Sequence, residues 1–385
     1  MNRREFIAAS VAALVAPRVG WPAAGAAGVG YRRLLILVEL KGGNDGLNTV
    51  IPYADPLYYE LRPHLAVKRD DVLQLDERSG LHPALRPLLP LWQARELAVV
   101  QGIGYPLPNL SHFRSIEIWD TASRSDQYLG DGWLARAFAA APVPAEYVAD
   151  EVAVGSSDLG PLAGARSRAI ALNDPESFLR QARLANPGGT GRNPALAHIL
   201  KVESDIVQAA SHLGGNTEFR TEFPRGAFGN AVRTAAQLAA NQAGVAAIRL
   251  SLGGFDTHQN QPGVHQRLLG ELAEGIASLR NALVEIHRWD STLLMTYAEF
   301  GRRPRENQSM GTDHGTASAH FVAGGRLRGG LYGDAPRLAT LEGGNLRYGV
   351  DFRSLYATVL ERWWNLDAAG ALGGRFAPLD FVKQA

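Results

Sequence analysis

Apolar residues along this chain fall into two rhythms. Short, nearly continuous runs occur from Arg33 to Leu40, Leu97 to Gln101, Ala169 to Leu172, Val245 to Leu252, Thr292 to Tyr297 and His320 to Ala323. Runs of this length, rich in Val, Ile and Leu, predict strands of a sheet covered on both faces. Between several of them the apolar spacing changes to three and four. From His265 to Arg288, the residues Leu268, Leu269, Leu272, Ile276, Leu279, Leu283 and Ile286 form one stripe of an amphipathic helix. Strands alternating with helices predict an α/β fold, a mostly parallel central sheet with helices on both faces. In such sheets ligands bind beyond the carboxyl ends of the strands.

Two segments break the rhythm. Residues 186–194 read NPGGTGRNP, a loop signal, and helix formers dominate from Ala195 to Leu213 and from Ala227 to Gln242. This predicts a helical insertion over about 186–243 within a single domain spanning 28–385. The N-terminus reads as an address rather than as fold. Asn2-Arg3-Arg4-Glu5-Phe6-Ile7 is a twin-arginine pattern, a weakly apolar stretch follows to Ala16, and Ala24-Gly25-Ala26 suits cleavage. A signal peptide over residues 1–27 is expected, recognised by the twin-arginine (Tat) export machinery, with a periplasmic or otherwise extracytoplasmic mature chain. Neither the leader nor any later segment offers the roughly 20 strongly apolar residues that a membrane span requires.

Charge and cysteine usage narrow the picture further. With 39 basic and 38 acidic residues the chain gives no electrostatic case for nucleic acid or an anionic membrane. It has no cysteine, so an exported form must be held by its core, assisted by metal if one binds.

The candidate chemistry sits where the sheet argument puts it. Asp45 lies in Gly42-Gly43-Asn44-Asp45-Gly46, just after the first apolar run. Asp256 and His258 follow the run ending at Leu252, and Glu299 follows the run ending at Tyr297, with Arg302 and Arg303 behind it. Asp313 and His314 lie between glycines ahead of the run at His320. Carboxylates and imidazoles released together at strand ends can hold a divalent metal, with the imidazoles selecting zinc, manganese or iron over magnesium. Each residue also has a plain structural reading. Asp256 can cap the next helix, Glu299 and Arg303 can form a surface ion pair, and Ser111 can be an ordinary N-cap. His265 is read as facing solvent at the start of the long helix, and His320 as facing the sheet. Ser111 opens a helix through Ile116, Ile118 and Trp119, where backbone N–H groups favour an anion. Beside a metal it could serve as a nucleophile. There is no His-Glu-x-x-His, no phosphate-cradling loop ending Gly-Lys-Ser/Thr and no Gly-x-Ser-x-Gly elbow.

Eight segments carry a resemblance: LLILVELKGGNDGLNTVIPY, GLHPAL, LSHFRSIEIWD, DGWLAR, LGGFDTHQNQ, TYAEFGRR, GTDHGTA and DFRSLYATVLERWW. On these the chain is identified as a member of domain-of-unknown-function family 1501. That family in turn resembles the alkaline-phosphatase and sulfatase clan in fold and motif order. The resemblance implies an exported metal-dependent hydrolase of phosphate or sulfate esters, acting on a small-molecule or polymer-borne anionic ester. It further implies Asp45 and Glu299 on one ion beside a nucleophilic Ser111, and Asp256, His258 and His314 on a second. Two ions about 4 Å apart would clamp an in-line displacement. Arg302 would neutralise a substrate oxygen and His112 would assist proton transfer, with Asp313 the alternative ligand next to His314. Zinc, manganese or iron is expected, one ion or two, with calcium the harder alternative. The chain departs from the clan in the close Asp-x-His spacing, in glutamate at Glu299 followed by Phe300, and in lacking a Cys/Ser-x-Pro-x-Arg signature. The alternative reading is a non-catalytic extracytoplasmic binding or assembly protein whose metal site has degenerated.

Overall fold

The first apolar run shows why this sheet is buried on both sides. In β1 (Leu34–Lys41), Leu34, Ile36, Val38 and Leu40 enter one hydrophobic core, while Leu35 and Leu37 enter a second on the opposite face. Successive side chains of a strand point to opposite faces, so an unbroken apolar run has to serve two cores. The computed structural model describes residues 30–164, 167–172, 217–241 and 244–383. The expected signal peptide and the expected helix from Ala195 to Leu213 lie outside the described residues.

The central sheet adds β2 (Leu97–Gly104), β3 (Ala149–Val154), β4 (Ala169–Leu172), β5 (Val245–Gly253), β6 (Thr292–Tyr297), β7 (Ser318–Ala323), β8 (Gly330–Tyr332) and β9 (Val350–Asp351). Its order is β8-β2-β7-β6-β1-β5-β3-β4, with β9 also pairing β2. Strands β4, β3, β5, β1 and β6 run parallel to one another. Among the described residues only β7 is reversed in this sheet, antiparallel to both β2 and β6. The fold is therefore the expected mostly parallel α/β sheet, with one antiparallel strand that the sequence pattern did not reveal. Apolar runs report burial, not direction.

Helices cover both faces. The long helix Gln261–Glu285 buries Leu268, Leu269, Leu272, Ile276, Leu279 and Leu283 of the stripe read from sequence, while Ile286, its seventh residue, is the half-buried C-cap. It packs with helix Ala227–Ala240 in the first core. The second core is aromatic, with Trp119, Trp133, Phe352, Tyr356, Trp363 and Trp364 all buried. His265 does not face solvent. It is 2% exposed, and its Nε2 meets Asn44 Oδ1 at 2.9 Å, because the start of the long helix is drawn down onto the loop after β1.

His320 faces the sheet as expected. It stands edge-on to Trp119 at 5.5 Å, and burial pushes its imidazole pKa down to about 3. The sign of the consequence is fixed by linkage. Below the usual pKa of about 6.5 the unfolded imidazole takes up a proton that the folded one refuses, so acid favours unfolding. Relative to His320→Leu, the wild type should lose about 1.4 kcal/mol of stability per pH unit as the pH falls from about 6 towards 3. Urea unfolding of both proteins across that range checks this. Parallel stability curves would show that His320 is not held neutral.

Candidate metal centre

The loops after β1, β5 and β6 meet at the carboxyl ends of their strands, and Gly42 and Gly43 let them touch. Both adopt positive φ, 116° and 80°. A Cβ on Gly42 would lie 2.4 Å from Asp256 N, and one on Gly43 would lie 2.4 Å from the Phe300 ring. Only glycine permits both that conformation and that approach.

Four side chains from three directions converge there: His112 from the first turn of helix His112–Thr121, Asp256 and His258 from the loop after β5, and His314 from the end of the strand Thr312–His314. His258 Nε2 lies 2.9 Å from His314 Nε2 and 3.1 Å from Asp256 Oδ1. His314 Nε2 is 3.2 Å from Asp256 Oδ1, and His112 Nε2 is 3.4 Å from Asp256 Oδ2. One ligand atom from each of His112, Asp256 and His314 falls within 4.8 Å of the other two. Phe300 packs against the His112 and His314 rings, at 4.9 and 4.4 Å between centroids.

The far nitrogens decide which way the lone pairs point. His314 Nδ1 lies 2.8 Å from the Leu110 carbonyl, which can only accept, so Nδ1 carries the proton. Burial lowers the His314 pKa, so the ring is neutral at pH 7 and Nε2 holds a lone pair. His112 Nδ1 lies 2.8 Å from Glu299 Oε1, which also accepts from Gly42 N at 2.9 Å. In its neutral form His112 then also turns a lone pair towards Asp256. Among the described residues His258 Nδ1 has only Asp313 near it, at 3.6 Å. The centre is thus electron-rich: the Asp256 carboxylate and the His314 Nε2 lone pair meet there, with the Nε2 atoms of His112 and His258 against the same carboxylate. Such a donor set, three imidazoles and one carboxylate, with outer acceptors fixing two of the tautomers, fits a transition-metal ion. Glu299 Oε2 is buried and has no hydrogen-bond partner among the described residues, a further acceptor facing no donor.

Arg302 supplies the fixed positive charge. Its side chain is fully buried, with Nη2 at 2.6 Å from Asp256 Oδ1. Nε donates to Gly43 O at 2.7 Å and Nη1 to Thr312 O at 2.8 Å, and Nη2 also reaches Gly42 O and Phe255 O. Partial burial acts to raise the Asp256 pKa, but the hydrogen bond and charge of Arg302 outweigh it and hold the carboxyl at about 2. Arg302 spends its donors within the protein, so it positions Asp256 instead of pointing at a substrate oxygen.

The sequence-predicted residues therefore separate. The structure brings together Asp256, His258 and His314, and joins His112 to them. Glu299 and Asp313 stand one layer out, facing His112 Nδ1 and His258 Nδ1. Asp45 does not share the cluster. It is 1% exposed and held by Arg62 through Nη1 to Oδ2 at 2.6 Å and Nη2 to Oδ1 at 2.9 Å, while Gln261 donates to Oδ2. Burial would raise its pKa, but Arg62 overrides this and keeps the carboxyl below the usual range. Arg62 was missed because it lies in no motif, and nothing local signals a guanidinium meant for a carboxylate 17 residues earlier. Ser111 is the N-cap residue of helix His112–Thr121, exposed, and its hydroxyl makes no capping bond.

Residues 98–372 match the model of the family described as Protein of unknown function (DUF1501). No curated protein matches the chain. Among solved structures it is similar to the C-terminal periplasmic domain of EcEptC from Escherichia coli in complex with Zn, at 11% identity over 76% of this chain and 72% of that one, TM-score 0.36. It is similar to PsFucS1 sulfatase from Pseudoalteromonas sp., at 10% identity over 90% and 70%, TM-score 0.38. It is also similar to alkaline phosphatase from the Antarctic bacterium TAB5, at 11% identity over 78% and 94%, TM-score 0.33. These overlaps are loose, and no residue role crosses from them to this chain.

Proposed function

The chain belongs to the DUF1501 family, and we propose that this member is a metal-dependent hydrolase of phosphate or sulfate esters working outside the cytoplasm. The observation that carries the proposal is the convergence of His112, His258 and His314 nitrogens on the Asp256 carboxylate at the carboxyl ends of β1, β5 and β6. A divalent ion held by such donors supplies Lewis-acid polarisation of an ester oxygen and lowers the pKa of a hydroxyl beside it.

The chain's own residues do the rest. Glu299 and the Leu110 carbonyl hold the His112 and His314 imidazoles in place, Asp313 stands 3.6 Å from His258, and Arg302 keeps Asp256 ionised and aimed inward. Ser111, exposed and free of a capping bond, is the proposed nucleophile. The unpaired N–H groups in the first turn of its helix face the charged oxygens of a substrate. With Asp45 neutralised by Arg62, the proposal is for one ion, zinc, manganese or iron, in place of the expected two-ion clamp. The cluster is open, with Asp256 46% and His258 42% exposed, which suits a small or a polymer-borne anionic ester. Among the described residues no helix is long and apolar enough to cross a membrane. Export through the twin-arginine machinery rests on the leader sequence alone.

The test is a panel of p-nitrophenyl phosphate, bis(p-nitrophenyl) phosphate and p-nitrophenyl sulfate. Asp256→Asn should lower turnover of the accepted ester by more than about 100-fold, beyond what loss of an outer-layer group costs, and Ser111→Ala should lose the burst of a covalent intermediate. Full turnover by both variants would refute the assignment. A metal-bearing protein inert to the whole panel would instead support the binding or assembly reading.

A further inference from the structure

The sheet leaves a gap at its β2 edge. β8 pairs with β2 as far as Tyr332 opposite Val100, and β9 resumes with Val350 opposite Ile103. Residues 333–349 between them leave the edge as a loop. On its other side β2 is bulged there. Ser318 faces Ile103 and His320 faces Val100, so Gln101 and Gly102 together oppose Ala319. Gly102 takes the left-handed conformation, φ 66°, which glycine adopts without strain. Bulges of this kind re-aim a side chain, here that of Gln101.

Gln101 lines a cavity of about 290 Å³ enclosed by the gap and the loop. The size suits a small molecule. Leu47, Val50 and Leu346 supply apolar wall, and Ser318 and Thr340 add hydroxyls. Gln101 as a whole is 4% exposed, its carboxamide has no hydrogen-bond partner among the described residues, and the little of it that is accessible opens into this cavity. Those polar atoms are left for an occupant of the cavity to pair with. None of His112, Asp256, His258 and His314 lines this cavity, although Arg302 does. The two cations near its mouth already face acids, Arg347 with Glu342 at 2.6 Å and Arg337 with Asp334 at 3.4 Å. Each of the three arginines that line the cavity thus already faces a carboxylate, Arg302 that of Asp256.

We propose that this cavity is a second binding site, for an uncharged small molecule bearing a donor and an acceptor side by side, as in a lactam or a pyrimidinone. The Gln101 carboxamide presents one acceptor and one donor along a single edge and pairs with that group, while the apolar walls take the remainder of the ring. The site is independent of the proposed hydrolysis. Its test is ligand-observed saturation-transfer NMR on the full-length chain with uracil and 2-pyrrolidinone as probes and benzoate as the charged control. Both probes should receive saturation and benzoate should not. Gln101→Leu, and separately Thr340→Trp at the rim, should weaken both probes at least tenfold, with metal content unchanged. No transfer to either probe in the wild type would overturn the proposal. So would equal binding by the wild type and both variants, or a Gln101→Leu protein that is merely more heat-stable with probe binding intact.

Discussion

Purified without chelator, the protein is expected to carry about one equivalent of zinc, manganese or iron, and His314→Ala to carry almost none. The expectation rests on the electron-rich centre. His314 cannot turn its lone pair elsewhere while Nδ1 donates to Leu110, and Asp256 remains ionised under the Arg302 guanidinium. The outer layer predicts a graded effect. Glu299→Gln weakens the acceptor that orients His112 and should lower metal affinity by about 10–100-fold without abolishing it. Elemental analysis and competition with a chelating dye would measure both. Two equivalents would reinstate the two-ion arrangement, and a stable protein free of metal at every purification would remove the centre altogether.

The second large effect is on stability. Arg62→Met should cost about 3–5 kcal/mol in urea unfolding, because it leaves the Asp45 carboxylate buried and unpaired. Arg62→Met combined with Asp45→Leu should recover most of that loss, since replacing both partners by apolar groups removes the stranded charge. Metal content should stay at the wild-type level in the double variant. This separates two roles for Asp45 that the sequence leaves open. Loss of metal in Asp45→Asn, with stability changed by less than about 1 kcal/mol, would return Asp45 to the ligand set.

Much of the fold was legible because burial leaves a local signature. The runs at Arg33–Leu40, Ala169–Leu172 and Thr292–Tyr297 became strands within a residue of their expected limits, and the stripe from Leu268 became the buried face of one helix as far as Leu283. The reversal of β7 was not legible, since pairing direction depends on where the chain returns and not on which residues it carries. The site was legible as a region for the same reason. Polar, chemically capable residues followed strand ends, and Gly42-Gly43 marked backbone that had to pass close to something.

Individual roles were a different matter. Asp45, Glu299 and Asp256 look alike in sequence: each is a carboxylate a few residues beyond a strand. Their environments diverge through partners distant in the chain, Arg62 for Asp45, His112 for Glu299, and Arg302 with three imidazoles for Asp256. His265 and Gln101 likewise gained their surroundings from elements far away, the loop after β1 and the gap between β8 and β9. The sequence by itself determined the alternation of strands and helices, the two-sided core and the end of the sheet at which chemistry collects, because those follow from periodicity and turn residues. The tertiary structure alone decided which carboxylate is neutralised, which nitrogen holds a lone pair and which amide goes unpaired. Those depend on contacts within 3 to 4 Å between residues tens to hundreds of positions apart, and no local pattern encodes them.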